Sequence, residues 1–267
     1  MSKEVKHYEA QYSNFKENLY KGIRAEVYNI DIGQNSWITA DEQDMFIEWL
    51  GLKKSNKLLD VACGSGETTL RIGERTGCSI VGVDIQAAGI KTALSLAKEK
   101  GLEKSVDFQL LDGNGRLPFE SESFDAIICI DAINHLPNRE KVFNEWNRLL
   151  KRDGKILFTD PIVVTGILTK KEIETRASIG YFLFVADGVN KRLLDKTGFQ
   201  LLKKEDRTYN MEFTAQNWVK ARSKRKTELV KIESLETYDG QQEFFETCAL
   251  LAEEKNLSRF AYLVAKE

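Results

Sequence analysis

Short, almost wholly apolar runs alternate with longer amphipathic ones through the first two thirds of the chain. Five of the short runs predict strands: Lys57–Ala62 (KLLDVA), Ser79–Asp84 (SIVGVD), Val106–Asp112 (VDFQLLD), Phe124–Ile130 (FDAIICI) and Gly154–Asp160 (GKILFTD). Continuous apolar runs of this length suit strands covered on both faces, as in a parallel sheet. Between them the period lengthens. In AGIKTALSLAKEKG, Ile90, Ala93, Leu94 and Ala97 recur at helical spacing, lysines fill the last turn and Gly101 supplies the stop. In REKVFNEWNRLLKRDG, Val142, Trp146, Leu149 and Leu150 make one stripe, which Gly154 ends. Regular alternation of strand and helix predicts a doubly wound α/β sheet.

The pattern changes after the fifth strand. Residues 161–186 are apolar and uneven, a helix is predicted near Val189–Lys196, and Phe199–Thr208 reads as a strand. Two charged helical stretches follow, around Thr214–Ile232 and Gln241–Lys255, and the chain closes on a strand-like run, Arg259–Lys266 (RFAYLVAK). Residues 1–50 read as helical and stand outside the alternation. The expected organisation is a helical cap (1–50), an α/β core (51–207) with a pocket insertion near 161–186, and a helical insertion followed by the last strand of the core (208–267).

Length and composition narrow the function. A chain of 267 residues can bury a substantial core without disulfides or metals. Thirty-nine basic residues against 41 acidic ones leave a net charge of −2, which predicts attraction neither to nucleic acid nor to an anionic membrane. Four scattered cysteines form no C-x-x-C, and with two histidines no zinc-type cluster can be written, so no metal is expected. The thiols read as reduced and the protein as cytoplasmic. The first residues are polar and charged, without the apolar core of a signal peptide, and no run approaches the length of a membrane span.

The candidate chemistry lies in LLDVACGSGETTLRI, Leu58 to Ile72. Gly64 and Gly66 permit a tight turn and close approach of a ligand, and the following helix offers free N–H groups. Asp84 closes the second strand about twenty residues on, where a carboxylate can accept from both hydroxyls of a ribose. A dinucleotide would ask for a third glycine where Thr69 stands. Asp60, beside the turn, is a poor neighbour for a pyrophosphate and a good one for an ammonium. A ligand with a ribose and an ammonium but no phosphate is S-adenosylmethionine.

Asp60-x-Ala62-x-Gly64-x-Gly66 resembles the first motif of class I S-adenosylmethionine-dependent methyltransferases, written E/D-x-G-x-G-x-G, with Ala62 at the first glycine. VGVDIQ resembles the second motif, and LLDGNGRLPFESESFDAIIC the segment in which Asp112 holds the adenine amino group beside Gly113 and Asn114. The resemblance covers residues 45–207 well and the ends loosely. It implies a Rossmann-like methyltransferase fold with a seven-stranded, mostly parallel sheet whose last strand runs antiparallel. It implies S-adenosyl-L-methionine as cofactor, held by Asp60, Ala62, Gly64, Gly66, Asp84, Ile85, Asp112, Gly113, Asn114 and Ile130. It further implies a small-molecule acceptor and a monomer or homodimer. The alternatives are a Rossmann NAD(P)-dependent oxidoreductase and a non-catalytic module that binds S-adenosylmethionine.

Catalytic candidates follow the fourth strand in IDAINHLPN. The unperturbed pKa of a histidine suits His135 to a general base, or it holds the turn before Pro137. Asp131 is a second candidate, or a cofactor-side or helix-capping residue. YNIDIGQNSW, Tyr28 to Trp37, resembles the segment that closes over the cofactor in the branch with glycine/sarcosine, phosphoethanolamine and quinone methyltransferases. There Tyr28 and Trp37 would wall a sulfonium or an acceptor amine, with Gln34 and Asn35 supplying hydrogen bonds, or Trp37 and Trp49 simply pack the cap on the core. Tyr181 and Phe182 belong to an aromatic stretch that reads equally as a substrate lid or a core helix. The basic run Val219–Lys231 reads as a solvated helix face, and Cys63 as a small residue in the turn. No basic pocket signature is visible, which argues against a phosphorylated acceptor.

Overall fold

The computed structural model describes residues 17–267; the first part of the expected cap, residues 1–16, lies outside them. In chain order the elements are α1 (Asn18–Tyr28), α2 (Ala40–Leu50), β1 (Lys57–Val61), α3 (Glu67–Thr76), β2 (Ser79–Asp84), α4 (Ala87–Glu99), β3 (Val106–Leu110), β4 (Phe124–Cys129), α5 (Arg139–Leu149), β5 (Leu150–Val164), α6 (Lys170–Arg176), β6 (Val185–Ala186), α7 (Val189–Lys196), β7 (Phe199–Asp206), α8 (Thr208–Ser223), α9 (Lys226–Glu233), α10 (Leu235–Glu253) and β8 (Leu257–Lys266). One sheet runs in the order β3-β2-β1-β4-β5-β8-β7, with the two-residue β6 paired to β5 off this path. The path holds the seven expected strands and β6 is an eighth. β3 to β5 are parallel, and β8 inserts antiparallel between β5 and β7.

Alternation within each strand builds the two sides. Leu58 of β1, Ile80 of β2 and Ala126 and Ile128 of β4 pack under α2, α3 and α4 through Phe46, Leu50, Leu70, Ala93 and Ala97. Leu59, Val61, Val83 and Ile127 face the other way, onto Val142, Phe143, Trp146 and Leu149 of α5 and Leu194 of α7. Each strand is thereby buried on both faces, which is why its run is apolar throughout.

Three expectations are revised. Leu94 is 47% exposed and leaves the α4 stripe to Ile90, Ala93 and Ala97. Gly154 does not end a helix: α5 stops at Leu149 and β5 begins at the next residue, so Gly154 lies inside a 15-residue strand, and a Cβ there would meet Asp125 O at 3.1 Å. The basic run after Val219 is not wholly a solvated face, because Arg222 is buried against Glu233 at 2.8 Å.

The remaining helices form a layer above the carboxyl ends of the strands. α1 packs Ile23, Val27 and Tyr28 onto Ala221, Leu229 and Tyr238. Trp37 joins Met211, Ala215, Phe244 and Phe245 of α8 and α10, whereas Trp49 stays on the sheet beside Phe46 at 5.4 Å between ring centroids. None of the described helices is long and apolar enough to cross a membrane.

Candidate active site

β1 and β4 are neighbours, so the chain leaves them in opposite directions and opens a crevice at their carboxyl ends, the switch point of an open α/β sheet. The turn after β1 fills its floor. Ala62, Gly64 and Gly66 adopt φ of 62°, 58° and 77°. Ala62 and Cys63 donate their N–H groups to Val83 O at 2.8 and 3.1 Å, and Gly64 N–H donates to Asp84 Oδ2 at 2.8 Å. The carboxylate at the end of β2 thus clips the turn that follows β1. Gly66 serves packing instead: it stands off the cavity, and a Cβ there would lie 2.7 Å from Phe108 and 2.6 Å from Ala93.

A cavity of about 310 Å³ lies over this turn. Of the expected cofactor set, Asp60, Ala62, Gly64, Asp84, Ile85, Asp112, Gly113 and Ile130 line it; Gly66 and Asn114 do not. Asn114 shapes the wall from behind, its N–H on Asp112 Oδ1 at 2.9 Å and its Oδ1 accepting Asn138 N–H. The lining holds Asp60, Asp84, Asp112 and Asp131 and, among the described residues, no lysine or arginine. Burial pushes the Asp60 carboxyl up to about 7, helped by the Asp84 charge and opposed by the Thr69 hydroxyl, which donates to Asp60 Oδ2 at 2.5 Å. Burial also raises Asp84, against the backbone N–H groups of Gln86 and Gly64. A site so charged repels pyrophosphate and favours a cation. Ile85, 63% exposed at the rim, offers an apolar surface to a flat base. The donor set therefore fits S-adenosylmethionine: an acid for an ammonium, an acid for a ribose, an acid and an apolar side chain for adenine.

The loop after β4 forms the next wall. Asp131 has a left-handed φ of 53° and is fully engaged. Oδ1 accepts Arg259 Nε–H and the Thr159 hydroxyl, both at 2.7 Å, and Oδ2 accepts Trp37 N–H at 2.9 Å and Arg259 Nη2–H at 3.2 Å. Arg259 reaches on to Glu42 Oε1 at 2.7 Å. This arrangement ties the loop to the chain before α2 and to Arg259. His135 lies one short turn later, with Nδ1 2.8 Å from Tyr181 O and its ring 4.7 Å from that of Phe182. A carbonyl only accepts, so Nδ1 carries the proton and Nε2 is the basic nitrogen of the neutral ring. The stretch around Tyr181 is a loop, not a helix, and Leu183 N–H pins it to Asn134 O at 2.8 Å.

The residues expected to hold an acceptor divide. Gln34 and Tyr181 line the first cavity, and Tyr28, Trp37 and Phe182 a second, adjoining one of about 80 Å³. The Gln34 side chain is spent on its own loop, accepting Ile32 N–H at 2.8 Å and donating to Ile30 O at 3.3 Å. Tyr28 donates to Ser36 O at 2.7 Å. The second cavity also holds a group that the sequence concealed. Arg176 is 2% exposed, with its guanidinium 4.7 Å from the Phe182 ring centroid, 5.1 Å from Phe244 and 5.8 Å from Trp37. The expectation of a pocket without a basic group is corrected by this residue. In KKEIETR it reads as one more charge on a solvated helix. Arg259 opens the apolar run RFAYLVAK, where a charge at the start of a buried strand is a clearer signal.

A family model described as a methyltransferase domain matches residues 52–218. The chain is 31% identical over 154 residues to the methyltransferase GfsG of Streptomyces halstedii, covering 58% of this chain and 54% of that protein. It is 30% identical over 201 residues to phosphoethanolamine N-methyltransferase 3 of Arabidopsis thaliana, covering 73% and 39%. It thus spans about half or less of the length of these relatives. Among solved structures, the cyclopropane synthase MmaA2 of Mycobacterium tuberculosis superposes with a TM-score of 0.84 at 19% identity, covering 98% of both chains. That similarity carries the fold alone.

Proposed function

Since the chain belongs to the methyltransferase-domain family, we propose that it transfers a methyl group from S-adenosyl-L-methionine to an N, O or C atom of a small molecule by in-line displacement. The observation that carries this reading is the first cavity, walled by Asp60, Asp84 and Asp112 without a lysine or arginine. When bound, S-adenosylmethionine supplies an electrophilic methyl group on a sulfur that leaves neutral. Asp60 holds the ammonium, Asp84 the ribose hydroxyls, and Asp112 with Ile85 the adenine. The loop 29–39 closes over them through Gly33, Gln34, Asn35 and Ser36, tied to the core by the Trp37 N–H on Asp131, and excludes water from the reacting atoms. His135 Nε2 takes the acceptor's proton where one must leave. Asp131 positions the His135 loop. We place the protein in the cytoplasm, in keeping with its four buried free thiols, and read it as a monomer or homodimer that binds neither nucleic acid nor membrane.

Isothermal titration with S-adenosylmethionine and S-adenosylhomocysteine, with NADH as control, tests the reading. Micromolar binding of both sulfur ligands and none of NADH is expected; the reverse selects the oxidoreductase. In an acceptor screen read by S-adenosylhomocysteine release, His135→Ala lowers turnover on the order of 10²–10⁴-fold and shifts S-adenosylhomocysteine affinity less than threefold. Equal losses in both would make His135 a structural residue.

A further inference from the structure

The second cavity contains a charge that no carboxylate among the described residues neutralises. Four other arginines are buried, and each has a carboxylate: Arg24 on Asp31 at 3.1 Å, Arg139 on Asp160 at 2.5 Å, Arg222 on Glu233 at 2.8 Å and Arg259 on Glu42 at 2.7 Å. Arg176 has none among the described residues, and its Nε and Nη1 are buried without a hydrogen-bond partner. Its neighbours on α6, Lys170 and Lys171, point to solvent and pair with Glu174 and Glu243. Three aromatic rings surround the guanidinium, but cation–π contacts return only part of the several kcal/mol that desolvating a charge costs. Asn134 lines the same cavity at 0% exposure, and neither Nδ2 nor Oδ1 of its amide has a partner. Two unsatisfied polar side chains facing one small aromatic chamber describe a binding site lacking its ligand's polar group.

We infer that the methyl acceptor is a compact carboxylic acid whose carboxylate is held in this chamber by Arg176 and Asn134, an assignment that rests on the methyl-transfer reading above. Guanidinium and amide N–H groups both donate, and a carboxylate accepts from each. One cation matches one negative charge; the other ion in the wall, Asp131, is already neutralised by Arg259, and no lysine is at hand for a phosphate dianion. Asn35, Ser36, Asp131 and His135 line both cavities, so the chamber adjoins the first across these residues. The Phe182 ring lies 4.7 Å from the His135 ring and 4.7 Å from the Arg176 guanidinium, so both groups border one aromatic side chain of the chamber. Trp37, Phe182 and Phe244 cover the body between them. Arg176 and Asn134 therefore select the acceptor, and the acid-lined cavity selects the methyl donor.

Titration of benzoate, benzamide and phenyl phosphate into the protein, with and without saturating S-adenosylhomocysteine, tests this. Benzoate is expected to bind at least tenfold tighter than benzamide and than phenyl phosphate. Arg176→Met abolishes that preference, leaves S-adenosylhomocysteine affinity within twofold, and melts no lower than the parent, because the variant removes an uncompensated buried charge. Arg176→Lys, which keeps the charge without the planar fork, loses at least threefold in benzoate affinity and keeps the test readable if the Met variant does not fold. Equal binding of benzoate and benzamide, or a preference that survives Arg176→Met, overturns the assignment while S-adenosylhomocysteine still binds. Tighter binding of phenyl phosphate overturns the carboxylate. Loss of S-adenosylhomocysteine binding in the parent overturns the methyl-transfer reading, and the benzoate preference without it is read separately.

Discussion

Arg259 bears on Trp37 through Asp131 and Arg176 bears on it directly, and only Arg259 has a carboxylate among the described residues. Arg259 is 0% exposed and bonds Asp131, which in turn accepts Trp37 N–H. Arg176 lies over the Trp37 ring and has no carboxylate among the described residues. The carboxylates repeat the contrast. Asp131 accepts four hydrogen bonds at the end of β4. Asp60, at the end of β1, has a single hydroxyl from Thr69 and is pushed up to about 7. Buried ions that are completed by the chain fix its geometry. Those left incomplete mark where a ligand of opposite charge belongs.

The largest effect should come from breaking the completed side. Arg259→Met leaves buried Asp131 without a cation among the described residues and Glu42 with Arg207 alone, and Glu42 Oε2 already lacks a partner. Breaking a buried pair in this way costs about 3–5 kcal/mol. Urea denaturation should register it, against no loss for Arg176→Met. A cost below 1 kcal/mol for Arg259→Met would end the distinction between the two arginines. Next comes Asp84→Ala, which removes both the proposed ribose acceptor and the clip on Gly64 N–H. A hydrogen bond to a charged acceptor contributes roughly 1.5–3 kcal/mol, so S-adenosylmethionine affinity should fall about 10- to 150-fold by calorimetry. An unchanged Kd would move the cofactor elsewhere.

The incomplete side should be visible in pH. In the unliganded protein Asp60 holds its proton up to about 7, well above an ordinary aspartate, so the folded state binds more protons than the unfolded one across that window. Stability contributed by the protonated carboxyl is therefore lost as pH rises toward 7. Binding an ammonium demands the charged form. S-adenosylhomocysteine affinity should fall by up to about tenfold per pH unit as pH drops from 7 to 5.5, with a proton released on binding. Asp60→Asn should flatten this dependence and raise the melting temperature at pH 8. A parent profile already flat below 7 would mean that Asp60 does not face the ammonium.

The contrast also explains how much could be read from the chain. β1, β2 and α7 were legible because burial on two faces or one leaves a periodic trace, and the acids at strand ends stood at recognisable spacing. Boundaries failed where a local signal was ambiguous. Gly154 read as a helix stop because a glycine after an amphipathic run usually is one, yet α5 passes straight into β5. Thr208 read as strand, but the Asp206 carboxylate accepts its N–H and starts α8. Whether a charge is paired is a tertiary fact. The partner of Arg222 is Glu233, across the α8–α9 turn, and nothing near Arg176 in sequence announces that no partner comes.

The smallest prediction concerns the one departure from the motif. Ala62 keeps the left-handed φ of 62° that a glycine would adopt without cost, while its N–H bonds Val83 O at 2.8 Å. A Cβ in that region costs about 1–2 kcal/mol, and glycine gives back 0.5–1 kcal/mol, as a rough figure, through the entropy of the unfolded chain. Ala62→Gly should therefore stabilise the fold by about 0.5–1 kcal/mol in urea denaturation, with S-adenosylmethionine affinity unchanged within twofold. Ala62 is not charged and belongs to neither side of the contrast. Its effect should thus be the same at pH 6 and pH 8, where that of Asp60→Asn is not. Destabilisation by Ala62→Gly would show that the methyl group packs something in the turn, and that the chain tolerates the strain for a contact on the cavity floor.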